Sequence, residues 1–355
     1  MSEEKIEIGK VGGEALMEGI MMRGPKGAAM SLRMADGSIE TSLKKSTLPS
    51  EKYKFLGWPL IRGPVNLVHS MIFGYKCMME SAEKATEGMI ESGEVVAESK
   101  LDKWIEAHFG PKMMAVVTGV GLVLGLGVAM LLFVWAPERL AGFIHDRATV
   151  DVSRFMPLIS GGVRVVLFVG YMFVISLQKD IRRVFQYHGA EHKAIFCYEF
   201  GLPLTVDNVR SQSRFHPRCG TSFMFLIILL SILVSSLIMV PDVWREFLKG
   251  NTGVRMAVRI LQFPIIMAVG YEFIRFAGRH LKNPIVRAIS FPGLAMQRIT
   301  TKEPGDDIIE VGIQALTAAL GRPFEAIIPA QREEEEEPSI DDPGSDADSA
   351  GQAQE

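Results

Sequence analysis

The amino-acid sequence predicts a mainly α integral membrane protein with about four transmembrane helices, a small N-terminal β-containing cytosolic region and a C-terminal amphipathic helix. Three features predict this architecture: four long apolar runs, a glycine-rich segment before them and a periodic apolar pattern after them. The chain of 355 residues is 48% hydrophobic and 22% charged. Because the hydrophobic excess is concentrated in the four runs, it indicates bilayer crossings rather than one large soluble core.

The N-terminal region, residues 1–62, is predicted to contain β-strands and to be cytosolic. Glycines break its short apolar stretches, which favours strands and tight turns. The stretches 28–34 and 38–41 flank the turn-forming pair Asp36 and Gly37, so a β-hairpin is expected there. The first ten residues are polar and have no apolar core, so no cleavable signal peptide is expected.

An amphipathic helical segment is predicted at residues 63–112. The commoner reason for its apolar face is packing against the protein itself, and the alternative is a helix that lies in the membrane interface. The face is formed by apolar residues at helical spacing, namely Leu67, Val68, Met71, Ile72, Tyr75, Met78, Met79 and Ala82.

A four-span membrane domain is predicted at residues 113–282. Each apolar run reaches the ~20 residues that a crossing needs, and each must be helical because lipid offers its backbone no water. Arg164 interrupts the second run, and Arg259 and Glu272 lie in the fourth. The runs are residues 113–135, 158–177, 221–240 and 256–274.

The distribution of basic residues predicts the orientation. The connection at residues 178–220 carries seven Lys or Arg residues, and the other two connections carry three each. By the positive-inside rule this connection is cytoplasmic, so both termini are expected to be cytoplasmic as well.

The C-terminal cytosolic segment, residues 283–330, is predicted to contain an amphipathic helix at 307–320. The tail at 331–355 has ten acidic residues against one basic residue and is expected to be disordered. The rest of the chain has a mild positive excess, which suits contact with anionic lipid and gives no support to nucleic-acid binding. The expected partners are the lipid bilayer and a cytosolic protein, and the oligomeric state is open.

The candidate chemistry is concentrated in the pattern H-x-x-E-H at residues 188–192. On a helix, His188 and His192 share a face and can reach one metal ion, while Glu191 lies beside it. The same order occurs in inverzincins, in which two histidines bind zinc and the glutamate activates water. Such spacing also occurs on surface helices that bind no metal.

Three further side chains are expected in the same layer. His216 and Cys219 directly precede the third apolar run and Glu272 ends the fourth, so all three should lie at the cytoplasmic membrane face. A carboxylate within an apolar run is costly. Glu272 is therefore expected either to be functional or to form an ion pair with Arg275 or Arg279.

Two designs for a metal site remain open, with a divalent ion, zinc for this donor set, as the expected cofactor. In the first, both histidines of the motif, His216 and Cys219 close a tetrahedral structural site. In the second, the two histidines and one further ligand, Glu272 or His216, leave a position for water, and Glu191 is the general base. The acid between the histidines favours the second design. Cys219 as a nucleophile paired with His216 is the weaker alternative.

Six stretches of the chain resemble the YqhQ family of bacterial membrane proteins. The similarity extends over nearly all of residues 9–320. It implies a predicted metal-dependent enzyme in the bacterial cytoplasmic (inner) membrane, and it carries no substrate or catalytic assignment. The stretches are residues 12–25, 187–193, 214–223, 271–272, 291–294 and 297–304.

The sequence thus leads to a zinc-dependent hydrolase and to two alternatives. In the hydrolase, His188 and His192 are ligands, one of His216, Cys219 and Glu272 completes the shell, and Glu191 is the base. One alternative is a non-catalytic membrane scaffold or assembly factor, whose histidine and cysteine cluster holds the connection to the spans. The other is a transporter with Arg164, Arg259 and Glu272 in its pathway, which the lack of an internal repeat disfavours. No P-loop or dinucleotide fingerprint is present, so ATP and NAD chemistry have no support.

Overall fold

The computed structural model describes residues 11–91, 116, 119–238, 252–277, 280 and 283–321. Within these ranges the chain is mainly helical and has an antiparallel sheet near its N-terminal end. The acidic tail lies outside the described residues. The elements are β1 (Gly12–Leu16), β2 (Gly19–Gly24), β3 (Gly27–Arg33), β4 (Ile39–Lys44), α1 (Pro49–Lys52), α2 (Arg62–Glu91), α3 (Gly119–Arg147), α4 (Met156–Ile175), α5 (Lys179–Glu199), α6 (Val206–Arg210), α7 (Gly220–Ile238), α8 (Thr252–Ala277), α9 (Pro284–Thr300) and α10 (Asp306–Leu320).

The N-terminal β region is a meander in which each strand pairs with the next, in the order β1-β2-β3-β4. The hairpin predicted around Asp36 and Gly37 is confirmed as β3–β4. Gly37 has a φ of 83°, a left-handed conformation that glycine adopts at no steric cost. Ser31 and Thr41 are paired across this hairpin, and their hydroxyl oxygens lie 2.7 Å apart.

Helices cover both faces of the sheet. Because side chains alternate along a strand, Met21 of β2 packs with Phe73 and Cys77 of α2, whereas its neighbour Met22 packs with α5 and α10 on the other side. The sheet is therefore the middle layer of three, with α2 on one side and α5 and α10 on the other.

The C-terminal helix predicted at residues 307–320 is confirmed as α10, and most of its surface is buried between the sheet and α5. Gly312 allows this close approach, because a Cβ atom there would lie 3.3 Å from Ile20 of β2 and 3.6 Å from the carbonyl oxygen of Ala190 in α5. The residues of α10 that are buried are Ile308, Ile309, Val311, Gly312, Ile313, Ala315, Leu316, Thr317 and Ala319.

The helix α2 packs on the sheet, but not through the face that the sequence pattern predicts. The residues of its buried face include Asn66, Cys77 and Ser81. Small side chains here let the helix approach the strands closely. The predicted apolar face is mostly exposed, with Met71 and Tyr75 each 65% exposed. Packing against the other described residues therefore does not account for that face.

Three described helices, α3, α4 and α7, are long and apolar enough to cross a membrane. They correspond to the first three predicted runs, and the described part of the first begins at Gly119. The fourth run lies within α8, which is not one of the three. Four spans are therefore not confirmed within the described residues.

The charge inside α4 has a main-chain partner in α3. Pro137 has no N–H, so it cannot bond to the carbonyl group of Phe133 four residues earlier. The helix forms a π-turn at Leu131–Trp135, next to this proline. Arg164 of α4 donates from Nε to the freed Phe133 carbonyl at 3.1 Å. The proline and the arginine therefore compensate each other.

This compensation is testable with a double-mutant cycle. We expect Arg164→Leu to be less destabilising in a Pro137→Ala background, because the backbone N–H that this second substitution restores would then bond to the Phe133 carbonyl. The expected coupling is about 0.5–1.5 kcal/mol in the free energy of unfolding in detergent. Additive effects of the two substitutions would contradict it.

Candidate metal centre

The helix α5 brings the H-x-x-E-H residues to one buried position. Its middle turn lies close to the chain that follows α9, because Gly189 has no side chain: a Cβ atom there would be 2.1 Å from the carbonyl oxygen of Lys302. The Lys302 N–H in turn donates to the Phe185 carbonyl at 2.8 Å. Glycine at this position therefore fixes how α5 meets the end of α9.

Both histidines of the motif are oriented by main-chain carbonyl groups. His188 Nδ1 lies 2.9 Å from the carbonyl oxygen of Thr300, and His192 Nδ1 lies 2.5 Å from that of Arg214. A carbonyl oxygen only accepts hydrogen bonds, so Nδ1 must carry the proton in each ring. When such a ring is neutral, its Nε2 lone pair is available to a metal ion.

Cys219 completes a cluster of three donor atoms. Its sulfur lies 3.2 Å from Nε2 of His188, and donor atoms of His188, His192 and Cys219 all lie within 4.8 Å of one another. Cys219 ends a turn in which its N–H donates to the His216 carbonyl at 3.4 Å, and its sulfur is 3.1 Å from the hydroxyl of Thr221. The position just before α7 therefore places the thiol against α5.

Electrostatics favour a thiolate at this position. Burial raises the pKa of Cys219, but His188 and His192 lower it further and hold it well below its usual range. Burial lowers the pKa of His188, and the facing thiolate more than offsets this and raises the pKa to about 9. The arrangement stabilises the negative sulfur that a metal ion requires as a ligand.

Glu191 lies beside the three donor atoms, and its side chain is buried. Its carboxylate oxygen is 3.9 Å from Nε2 of His188, and it accepts a hydrogen bond from the Gly13 N–H of β1. Burial raises the pKa of this carboxyl group, while the two histidines lower it. Gly13 allows the contact, since a Cβ atom there would be 2.7 Å from Cγ of Glu191.

A second carboxylate, which sequence reasoning missed, comes from β1. Glu14 is largely buried; burial and then the charge of Glu191 raise its pKa, while Arg23 and His188 lower it. A Cβ atom on Gly74 of α2 would overlap its carboxylate, so that glycine makes room for it. The signal in the sequence is an acidic residue inside the glycine-rich N-terminal block, where tight turns are a sufficient reason for the glycines.

His216 is close to the cluster, but its ring nitrogens face other groups. Nδ1 lies 3.3 Å from the N–H of Arg218, and Nε2 lies 3.8 Å from a carboxylate oxygen of Glu199, which also pairs with Arg218. Burial lowers the pKa of His216 to about 4. The side chain of Gln297 holds its backbone, accepting from the N–H and donating to the carbonyl, both at 2.7 Å. His216 thus positions the turn that carries Cys219.

Glu272 is not brought to the cluster. Its two carboxylate oxygens accept hydrogen bonds at 2.7 and 2.6 Å from Nε and Nη2 of Arg62, the first residue of α2. This bidentate pair ties the end of α8 to α2. The ion-pair alternative therefore describes Glu272, with Arg62 as the hydrogen-bonded partner. Of the two partners expected from the sequence, Arg279 lies outside the described residues.

Of the ligand sets that the sequence left open, the structure gathers the two motif histidines and Cys219. It does not bring the ring nitrogens of His216 or the carboxylate of Glu272 to the same position. The donor set consists of two imidazoles and one thiolate, and Nδ1 of each ring is bonded to a main-chain carbonyl. This donor set fits zinc.

Comparisons with known proteins place this cluster inside a shared region. The profile of a family described as "Protein of unknown function (DUF1385)" matches residues 58–322. The "Uncharacterized protein YqhQ" of Bacillus subtilis (strain 168) is 29% identical over 321 residues, which are 90% of this chain and 95% of that protein. The predicted resemblance is thereby confirmed. No solved structure matches the chain.

Adjacent glycines of β1 provide a test of the contact between the sheet and the cluster. We expect Gly13→Ala to destabilise the fold by about 1–3 kcal/mol, because the new Cβ atom would meet Glu191, the Met22 sulfur and the Met21 carbonyl within 2.9 Å. Gly12→Ala is the matched control, since a Cβ atom there meets nothing within 4 Å. Equal thermal stability of the two variants would show that the contact is not formed.

Proposed function

We propose that this chain, which belongs to the DUF1385 family of proteins of unknown function, is a metal-dependent membrane enzyme, a hydrolase that uses His188, His192 and Cys219 as ligands. One observation carries the proposal. Each histidine donates Nδ1–H to a main-chain carbonyl, and a buried thiol lies within reach of both rings. This is the arrangement by which metal-binding histidines are oriented in proteins.

The donor set indicates the metal. Two neutral imidazoles and one thiolate suit zinc, which takes nitrogen and sulfur ligands in a tetrahedral shell. Three protein ligands leave a fourth position for water or substrate. A bound zinc ion would supply a Lewis acid that lowers the pKa of water toward neutrality.

Glu191 is the residue that moves the proton in this proposal. Its burial keeps its pKa above that of an ordinary glutamate, which suits a group that must accept and return a proton near neutral pH. During hydrolysis the oxygen of water bonds to a carbonyl carbon or phosphorus, and the bond to the leaving group breaks. Glu191 takes the proton from that water and transfers it to the leaving atom.

The membrane arrangement is part of the same proposal. In addition to α3, α4 and α7, we propose α8 as a fourth span, since its 26 residues are long enough to cross the bilayer. The basic connection that contains α5 and α6 then lies at the cytoplasmic face of a bacterial inner membrane, with both termini on that side. The centre would act at the membrane surface.

A structural metal site in a membrane scaffold is the second candidate. The observation that favours it is burial, because His192 and Cys219 are only 1% and 5% exposed. A closed site with no access for substrate would hold the connection before α7 against α5 without catalysis. A cytosolic protein partner that binds the sheet would belong to this alternative.

Metal content is the first test. We expect detergent-purified protein, prepared without chelator, to contain about one zinc ion per chain by inductively coupled plasma mass spectrometry. A His188→Ala, His192→Ala double variant should lose it. A His145→Ala, His280→Ala double variant should retain it, because those histidines lie outside the cluster. Wild-type protein without metal would contradict both candidate functions.

Cobalt substitution separates the enzyme from the scaffold. The cobalt-loaded protein should show a thiolate-to-cobalt charge-transfer band that is lost in Cys219→Ser. An open coordination position predicts that added azide or cyanide changes the spectrum, whereas a closed structural site predicts no change. Glu191→Gln should keep the metal and its band. Loss of metal in that variant would make Glu191 a ligand and contradict its role as base.

A further inference from the structure

A groove runs between α7, α8 and α9, beside the candidate centre. It encloses about 320 Å³, including its open side. Eight of its ten lining residues are apolar or glycine, and the others are Ser222 and Ser290. Four of the ten belong to α7, one of the helices long and apolar enough to cross a membrane.

One end of the groove is formed by the turn that carries Cys219. Pro217 lines the groove and lies between His216 and Cys219 in the sequence. Ser222, also in the lining, accepts a hydrogen bond from Gln297 at 2.6 Å, and the same amide holds the backbone of His216. The apolar groove and the donor cluster therefore share a wall.

Close packing of α7 on α9 shapes this end. A Cβ atom on Gly293 of α9 would lie 2.9 Å from Cβ of Ser222, so the two helices touch here without an intervening side chain. Farther along α7 the groove is lined by the larger Phe225, Leu226 and Leu229. The groove thus has the polar Ser222 at the end near the turn that carries Cys219, and a largely apolar body along the helix.

We propose that the groove holds the alkyl chain of a membrane lipid, whose head group reaches His188, His192 and Cys219. This inference rests on the proposed function and names its substrate class: a membrane amphiphile with a hydrolysable ester or phosphoester bond near its head group. The surrounding surface of α7 favours lipid as the occupant. Met224 on the opposite face of α7 is 56% exposed, and Leu233 and Leu237, which continue the groove's own face along the helix, are 55% and 61% exposed, as expected for side chains that face acyl chains.

The physical basis of recognition differs from that of a soluble enzyme. Lipid chains are as apolar as the groove, so an alkyl chain gains little free energy by entering it. Selectivity would come from the polar end, where the head group meets the centre. The groove would then serve to align the bond to be cleaved with Glu191, and the bilayer would supply substrate at high local concentration.

The first arm of the test is photo-crosslinking in vesicles of phosphatidylethanolamine and phosphatidylglycerol with a trace of phospholipid that carries a diazirine in its acyl chain. We expect labelling of Leu226, Leu229 and their neighbours in the groove. Leu226→Trp should fill the groove and reduce that labelling several-fold, whereas Met224→Trp, on the opposite and exposed face of α7, should not. Uniform labelling along α7, or no change in Leu226→Trp, would overturn the proposal.

The second arm measures turnover in vesicles made from the total lipid extract of the bacterium that encodes the protein. Mass spectrometry should show a lipid species that wild-type protein consumes, that Glu191→Gln leaves intact and that Leu226→Trp consumes at least tenfold more slowly with its metal retained. If no lipid is consumed although groove labelling and metal are normal, the substrate class is wrong. Labelled protein without metal would instead contradict the proposed function and leave a lipid-binding groove.

Discussion

Two main-chain carbonyl groups, those of Thr300 and Arg214, set the geometry of the candidate centre, because each accepts the Nδ1–H of one histidine and thereby aims its Nε2. Thr300 ends α9, and Arg214 lies in the connection before α7. Neither carbonyl is in place until these parts of the chain have packed around α5. The centre is therefore a product of tertiary structure, although two of its donors are four residues apart.

The same dependence explains how much the sequence could predict. The shared face of His188 and His192 follows from helical spacing alone, so the motif was recognisable without the fold. The direction of His216 depends on Glu199 and Arg218, and that of Glu272 on Arg62, a partner 210 positions away. No local pattern contains that information, which is why both residues were predicted as ligands and neither lies with the donor atoms.

Packing between the sheet and its helices was also only partly predictable from the sequence. The apolar periodicity of α2 identifies its most hydrophobic face. The face that packs on the sheet is a different one, with the small side chains of Cys77 and Ser81, because close packing depends on shape as well as hydrophobicity. Turn chemistry was more informative, because Asp36 and Gly37 specify a hairpin whatever packs on it. Glu14 was missed for a related reason: its strand brings it to α5 only through the packing of α2, α5 and the edge of the sheet.

The pairing of Arg164 with the Phe133 carbonyl has a consequence for biosynthesis. The chain is made from its N-terminus, so α3, which carries the proline and the acceptor carbonyl, emerges from the ribosome before α4 does. In the proposed membrane arrangement the acceptor is already present when the arginine of α4 enters the bilayer, and the two helices can insert as one hairpin. The order of synthesis itself thus spares this charge a passage through lipid without a partner.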